Sequence, residues 1–262
     1  MSWLAAVTNI CSALTLENLE ETFYRQGFAK FPDSDFAALG LNDMQVKDLK
    51  QIGKTEAQHV SLLQSALAQG GIQPVQPCEY DFGFTDAKGM VGTAAVLENV
   101  GISAYLGAAP LLKDPAILGT AGSILTIEAR HQSSIRVFGG QVAVPQAFDA
   151  ALGPRAVFSL AAPFIKSCPQ GSNLAVKAFP KLTMDASAAA NIKIQSKIQP
   201  KGEAGGATHC AFTSGGVVPG GTAFTPFKEG EGCEVPEGIA GVTYLSLTNN
   251  GPLDGALTDE LV

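Results

Sequence analysis

Two of the three histidines in this 262-residue chain stand in the same tetrapeptide pattern, Glu56-Ala57-Gln58-His59 and Glu128-Ala129-Arg130-His131. On a helix, residues three apart project from one face, so each Glu-x-x-His presents a carboxylate oxygen and an imidazole nitrogen to a single point. Each is half of a metal grip. With glutamate at about one position in twenty, two of three histidines acquire such a partner by chance with odds of roughly one in a hundred. A dinuclear carboxylate site also needs one glutamate from each of two further helices, to supply ligands and balance the metal charge. Glu98 meets that need. It sits between Ala94-Ala95-Val96-Leu97 and Val100-Gly101-Ile102, where an unpaired buried carboxylate would be costly. The other helix offers Glu17, Glu20 and Glu21. An internal repeat selects among them: Leu16-Glu17-Asn18 matches Leu97-Glu98-Asn99, and Tyr24 follows Glu17 at the interval by which Tyr105 follows Glu98.

Six ligands are therefore expected to converge: Glu17, Glu56, His59, Glu98, Glu128 and His131. Four carboxylates and two imidazoles suit two divalent ions of intermediate hardness, iron or manganese, better than copper(I) or a single structural zinc. Glu56 and Glu128 are expected to bridge. Tyr24 and Tyr105 are candidate catalytic residues through hydrogen bonds that orient the ligand carboxylates; an ordinary core aromatic is an equally good reading of each. Glu20, one turn from Glu17, is a further candidate ligand, and Glu21 is expected to face water. His209, beside Cys210 without acidic or histidine partners at ligand spacing, reads as an ordinary packed or surface residue.

Four helices must position these groups. The first runs from about Ser2 to Lys30, with only Gly27 interrupting, and loop chemistry begins at Phe31-Pro32-Asp33. The second runs from a cap at Asn42 or Asp43 to the stop Gly70-Gly71, and the third from Thr85 or Asp86 to just before Pro110. The fourth has Asp114 as cap, Pro115 at its first position and Gly139-Gly140 as its stop. The last two are joined by a very short connection, whereas the link from Gly70 to about Asp86 is long enough to cross a bundle. Two antiparallel pairs joined by one crossover is the ferritin-like topology.

After residue 140 a short helical stretch, Pro154 to Lys166, gives way to glycine and proline punctuation between β-prone runs such as Asn191-Ile192-Lys193-Ile194 and Val242 to Leu247. The fold class expected is α+β: a ferritin-like four-helix bundle with one long crossover over residues 1–140, a connecting helical segment over 141–168 and a small β-rich C-terminal module over 169–262.

Composition narrows the function. Seventeen basic against 24 acidic residues give a formal charge of −7, which offers no footprint for nucleic acid or an anionic membrane surface. With 46% hydrophobic and 16% charged residues the chain buries a core and is not disordered. No apolar run is expected to reach the roughly 18–20 residues that cross a bilayer, and the N-terminus lacks the basic start and cleavage site of a signal peptide, so any leader is absent from the sequence as it stands. Five cysteines show no metal-finger spacing. Cys11 lies in an apolar helical pattern that suits a free thiol. Cys78, Cys168, Cys210 and Cys233 lie in loop-like or strand-like surroundings and suit two bridges, Cys78 with Cys168 and Cys210 with Cys233. Sequence leaves that connectivity open, and five reduced thiols in a cytoplasmic protein is the alternative.

The segments Leu14 to Glu20 with Phe23-Tyr24, Glu56-Ala57-Gln58-His59-Val60, Leu97 to Ala109 and Leu125 to His131 resemble the ferritin-like domain of fungal stress-response proteins related to plant desiccation-related proteins. The resemblance covers roughly residues 12 to 138 and includes linker residues such as Pro77-Cys78-Glu79-Tyr80. It implies a secreted or cell-envelope fungal protein with a C-terminal β extension, in keeping with the disulfide reading. The function expected is that of a di-metal protein acting with O2 or H2O2 and an unknown small molecule. The alternative is a secreted, non-enzymatic stress or binding protein whose metal site is structural. A storage shell ranks third, because the appended module is sterically awkward there.

Overall fold

The computed structural model describes residues 3–172, 176–185, 192–202, 205–216 and 219–262. Helix α1 spans Trp3–Lys30, α2 Asp33–Ala37, α3 Asp43–Gln69, α4 Ala87–Ala108, α5 Pro115–Phe138 and α6 Pro154–Ala161. The strands are β1 Glu79–Tyr80, β2 Ile165–Ser167, β3 Lys197–Ile198, β4 His209–Thr213, β5 Thr222–Pro226, β6 Cys233–Glu234 and β7 Tyr244–Thr248. The chain divides into one unit of Met1–Ala143 with Leu160–Val176 and another of Val144–Ser159 with Lys177–Val262.

The long helices begin and end where local chemistry satisfies their terminal backbone groups. Asn42 accepts from the amides of Met44 and Gln45, each at 3.0 Å, while the Gln45 side chain accepts from the Asn42 amide at 2.9 Å, a capping box that starts α3. Asp86 starts α4 by accepting from the Gly89 amide at 2.7 Å. Asp114 starts α5 by accepting from the amides of Ala116 and Ile117 at 2.8 and 3.2 Å. Both glycine pairs work as stops through their second member: Gly71 and Gly140 each have φ +72. Behind each, an amide reaches back into the last turn, Ile72 to the Leu67 carbonyl at 2.9 Å and Gln141 to that of Arg136 at 2.8 Å.

Helices α1 and α3 pack as one antiparallel hairpin and α4 and α5 as the other. Tyr24 lies beside Gly53, and Leu14 packs with Leu63 and Leu67; Asn99 meets Gln132. The segment from Gly70 to Asp86 is the crossover. It carries β1, which pairs antiparallel with β2, and Cys78 there is bonded to Cys168. Phe23, Phe31, Tyr80, Phe82, Phe84 and Phe164 form linked ring contacts beneath it.

Gly53 sets how closely α1 and α3 approach. A Cβ there would lie 2.7 Å from Tyr24 Cβ and 3.3 Å from Phe28 Cε2, and a neighbouring Cβ moves only with its backbone. Gly53→Val is expected to cost about 2–3 kcal/mol by overpacking, read as a lower urea midpoint at unchanged slope. An unchanged midpoint would show that the helices can separate freely.

The second unit has a two-stranded sheet, β3 with β6, and a three-stranded antiparallel sheet in the order β5-β4-β7. Ile198, Cys210, Phe212, Cys233, Val235 and Leu247 form its core. The Cys210–Cys233 disulfide ties β4 to β6, and so one sheet to the other.

Four expectations are corrected here. Asp33–Ala37 is a short helix rather than loop, because Phe36 packs fully into the core. The α-helix from Pro154 ends at Ala161 and a 3-10 turn carries the helical stretch on to Phe164, but Lys166 lies in β2, drawn into the ladder with Glu79 and Tyr80. Of the β-prone run Asn191 to Ile194, Asn191 lies outside the described residues and 192–194 form no strand; the strand falls at Lys197–Ile198. Finally, Ala87–Leu111 is long and apolar enough by length and composition to cross a membrane. Half of its most apolar window is buried inside the protein, because α4 is a core helix packed against α1 and α5.

Candidate metal centre

The six expected ligands meet at the centre of the bundle. Glu17, Glu56, Glu98 and Glu128 are completely buried, and His59 and His131 nearly so. Two groups of side chains are spaced to hold an ion: Glu17, Glu56, His59 and Glu128 in one, Glu56, Glu98, Glu128 and His131 in the other. Glu56 and Glu128 belong to both, the arrangement expected of carboxylates shared between two ions.

Both imidazoles present Nδ1 to the carboxylates. His59 Nδ1 lies 3.0 Å from Glu56 Oε2, 3.2 Å from Glu17 Oε2 and 3.4 Å from Glu128 Oε1, the last without hydrogen-bond geometry. His131 Nδ1 lies 2.8 Å from Glu56 Oε1 and 3.0 Å from Glu98 Oε2. The tyrosines cross over between the hairpins. Tyr24 of α1 donates to Glu98 of α4, and Tyr105 of α4 donates to Glu17 of α1 at 2.5 Å. The sequence repeat is thus a reciprocal hydrogen-bond exchange between the two helices.

Whether these residues fit a metal pair can be judged from the atoms left without partners. Both oxygens of Glu128 are buried and accept no hydrogen bond, and Glu56 Oε1, also without one, is met only by the His131 imidazole at 2.8 Å. Such groups are costly unless something cationic meets them, and they belong to the two residues common to both groups. Four carboxylates also match the charge of two divalent ions when both imidazoles are neutral. The donor set fits.

Titration behaviour follows from the crowding. Burial would lower both imidazoles, but the carboxylates prevail. Glu128, Glu17 and Glu56 raise His59 to about 12, and Glu56 and Glu98 raise His131 to about 9. Burial pushes Glu17 up to about 7, against the hydrogen bond with His59. Burial would raise Glu56 too, yet His131 and His59 together bring it down to about 2. Glu128 and Glu20 are held well above the ordinary carboxylate range, by burial and then by neighbouring carboxylates.

These shifts fix a pH dependence. For His131 the folded value of about 9 exceeds the unfolded one, so its stabilisation is full below the unfolded pKa and is lost as pH rises through about 9. Glu17, raised to about 7, acts in the same direction at lower pH. Glu56 acts oppositely, its stabilisation being lost as pH falls through about 2. The metal-free protein is therefore expected to lose stability from pH 5 to pH 9. Ligands must shed protons to bind an ion, so the metal-loaded protein is expected to gain stability relative to it over the same range. Thermal melts at several pH values with and without Mn(II) check this; parallel curves would contradict it.

Other expected residues fall as follows. Glu20 is buried beside the site but belongs to neither four-residue group. Glu21 points outward and pairs with Arg25 at 2.8 Å. His209 hydrogen-bonds Thr208 Oγ1 at 2.8 Å and joins no candidate metal group among the described residues. Sequence reasoning missed Thr55 and Gly101. Thr55 Oγ1 lies 2.9 Å from His131 Nε2, and a Cβ on Gly101 would come within 2.6 Å of Glu128 Oε2. Their positions in the repeat, beside Glu56 and three residues past Glu98, are the signals that could have found them.

Comparison with known proteins agrees with this arrangement. Protein rds1 of Schizosaccharomyces pombe is 28% identical to the chain over 171 residues, which is 65% of this chain and 42% of that protein. The chain thus spans less than half the length of this relative. The family described as the ferritin-like domain matches residues 7–141, from α1 to just past the end of α5 and just over half of the chain. With the two antiparallel hairpins, the long crossover and the buried glutamate and histidine groups between them, the chain belongs to the ferritin-like domain family.

Proposed function

We propose that the bundle binds two divalent ions, iron or manganese, and with them handles dioxygen or hydrogen peroxide. The observation that carries this reading is the pair of buried ligand groups sharing Glu56 and Glu128, which also carry the carboxylate oxygens that accept no hydrogen bond. Two adjacent redox ions supply a two-electron change when bound, which lets such an oxidant be reduced without releasing radicals.

The chain's own residues prepare that chemistry. Glu17 and His59 would hold one ion, Glu98 and His131 the other, and Glu56 and Glu128 would be available to both. Tyr24 and Tyr105 donate to Glu98 and Glu17 and hold each carboxylate in one rotamer. The apolar packing of α4 keeps bulk water from the centre. Binding requires His59 and His131 to lose their protons, so loading is coupled to proton release.

The two disulfides suit an oxidising compartment, and secretion is the reading they support for location. Metal analysis of chelator-free protein, followed by anaerobic Fe(II) loading and exposure to O2 or H2O2, tests the function. About two ions per chain with an oxidant-dependent absorption change is the expected result. Bound metal that no oxidant alters would favour the non-enzymatic alternative, and no uptake would sink both the site and its chemistry.

A further inference from the structure

The six ligands and two tyrosines obey the repeat, but the residues around them do not. Aligning Glu17 with Glu98 places Glu20 opposite Gly101, and aligning Glu56 with Glu128 places Thr55 opposite Ile127 and Val60 opposite Gln132. Each departure has a physical consequence in the structure.

Thr55 Oγ1 donates to the Ile52 carbonyl at 2.6 Å, so its proton is committed there and its lone pair faces His131 Nε2 at 2.9 Å. His131 Nε2 must then carry a hydrogen, which leaves Nδ1 as the ligand atom. Ile127, the counterpart of Thr55 in the second hairpin, offers His59 no such acceptor. Gln132 donates to Asn99 at 3.3 Å and ties α5 to α4 next to His131. Its counterpart is Val60, and the buried amide nitrogen of Asn18 has no hydrogen-bond partner. On the other side, Gly101 leaves a notch between helices. A Cβ there would meet Glu128 Oε2 at 2.6 Å and Glu20 Oε1 at 3.1 Å. The notch admits the Glu20 carboxylate beside the shared Glu128. Glu20 stands one turn beyond Glu17 on α1, which puts it on the Glu17 side.

From these departures we infer that the two metal positions are inequivalent: the Glu98/His131 position has its imidazole fixed by Thr55, and the Glu17/His59 position has a looser imidazole and an added carboxylate, Glu20. Thr55 is a positioning residue for one ion, and Glu20 supplies charge to the other. This rests on the metal-binding reading above and goes further, because it assigns different residues to different ions.

The test counts free Mn(II) by its electron paramagnetic resonance signal during titration. Wild-type protein is expected to show two resolved steps. Glu17→Ala leaves the Glu98/His131 position alone, and in that background Thr55→Val is expected to weaken binding about 10–100-fold. Thr55→Ser restores it, and Glu20→Gln changes it little. In the Glu98→Ala background the pattern inverts: Glu20→Gln weakens the remaining position about tenfold and Thr55→Val leaves it. Nitrogen-15 spectra of the Zn(II)-loaded protein give a second readout, with His131 in the Nε2–H tautomer in wild type and that signal altered in Thr55→Val. Two identical steps in the wild type, or variants that act alike in both backgrounds, would overturn the inequivalence and leave the site standing. A wild type that binds no Mn(II) and no Fe(II) would overturn the site itself.

Discussion

Glu128→Leu is expected to empty both metal positions and at the same time to make the metal-free protein more stable. Glu128 belongs to both ligand groups, so its loss leaves each ion one donor short and removes the bridge between them. Stoichiometry should fall from about two ions to below one per chain. Stability moves the other way, because both Glu128 oxygens are buried without a hydrogen bond. Burial holds this carboxyl protonated in the metal-free protein, and replacing it by an apolar side chain of similar shape removes the desolvation cost of its unmet oxygens, about 1–3 kcal/mol. Glu98→Leu is the contrast. It strands the Tyr24 hydroxyl and one contact of His131, which should cost the metal-free protein about 1–3 kcal/mol, while the Glu17/His59 position keeps all four of its groups. Metal analysis and denaturant melts on the two variants give four numbers. If both variants destabilise the metal-free protein equally, the orphaned oxygens of Glu128 are not a stored cost and the case for a bridging cation weakens.

The contrast also shows what could be read from sequence. The ligands were legible because a metal site repeats residue types at helical spacing, and a duplicated hairpin repeats them twice. The helix ends were legible too, since caps such as Asn42 and Asp114 and the paired glycines act within one turn. What escaped are contacts between helices whose partners lie far apart in the chain. Thr55 next to His131, Gly101 next to Glu128 and the crossed donation of Tyr24 and Tyr105 depend on how the hairpins face each other; the repeat marks where Thr55 and Gly101 stand but not what they touch. The same limit explains α2, where burial of Phe36 outweighs a loop-like sequence, and β2, which exists because Glu79 and Tyr80 lie alongside it. Helix α4 is the opposite case. Its composition alone passes for a membrane span, and only its packing in the bundle and the buried Glu98 it carries show why it is so apolar.

Removing the Cys78–Cys168 bond is expected to be the most damaging change outside the metal centre. The two residues are 90 apart in sequence, and the loop they close contains α4 and α5, hence three of the six candidate ligands. Cross-linking so long a loop restricts the unfolded chain strongly. The chain-entropy relation gives about 4–5 kcal/mol for it, against about 3 kcal/mol for Cys210–Cys233, whose separation is 23. The native state has little with which to compensate: β1 and β2 are only two and three residues long, so the ladder beside the bond cannot hold the crossover against the returning chain alone. The Cys78→Ser/Cys168→Ser protein should therefore melt well below wild type, with the larger part of the loss recovered when metal is added, because Glu98, Glu128 and His131 inside the loop then tie it to Glu17, Glu56 and His59 outside it. Cys210→Ser/Cys233→Ser should show a smaller loss that metal does not restore, since β4 and β6 carry none of the six ligands. Equal losses in the two variants, or rescue of both by metal, would mean that loop closure is not what the first bond supplies. A bond of this size is kept only where thiols stay oxidised, so the same melts under reducing conditions measure how much of the fold depends on its compartment.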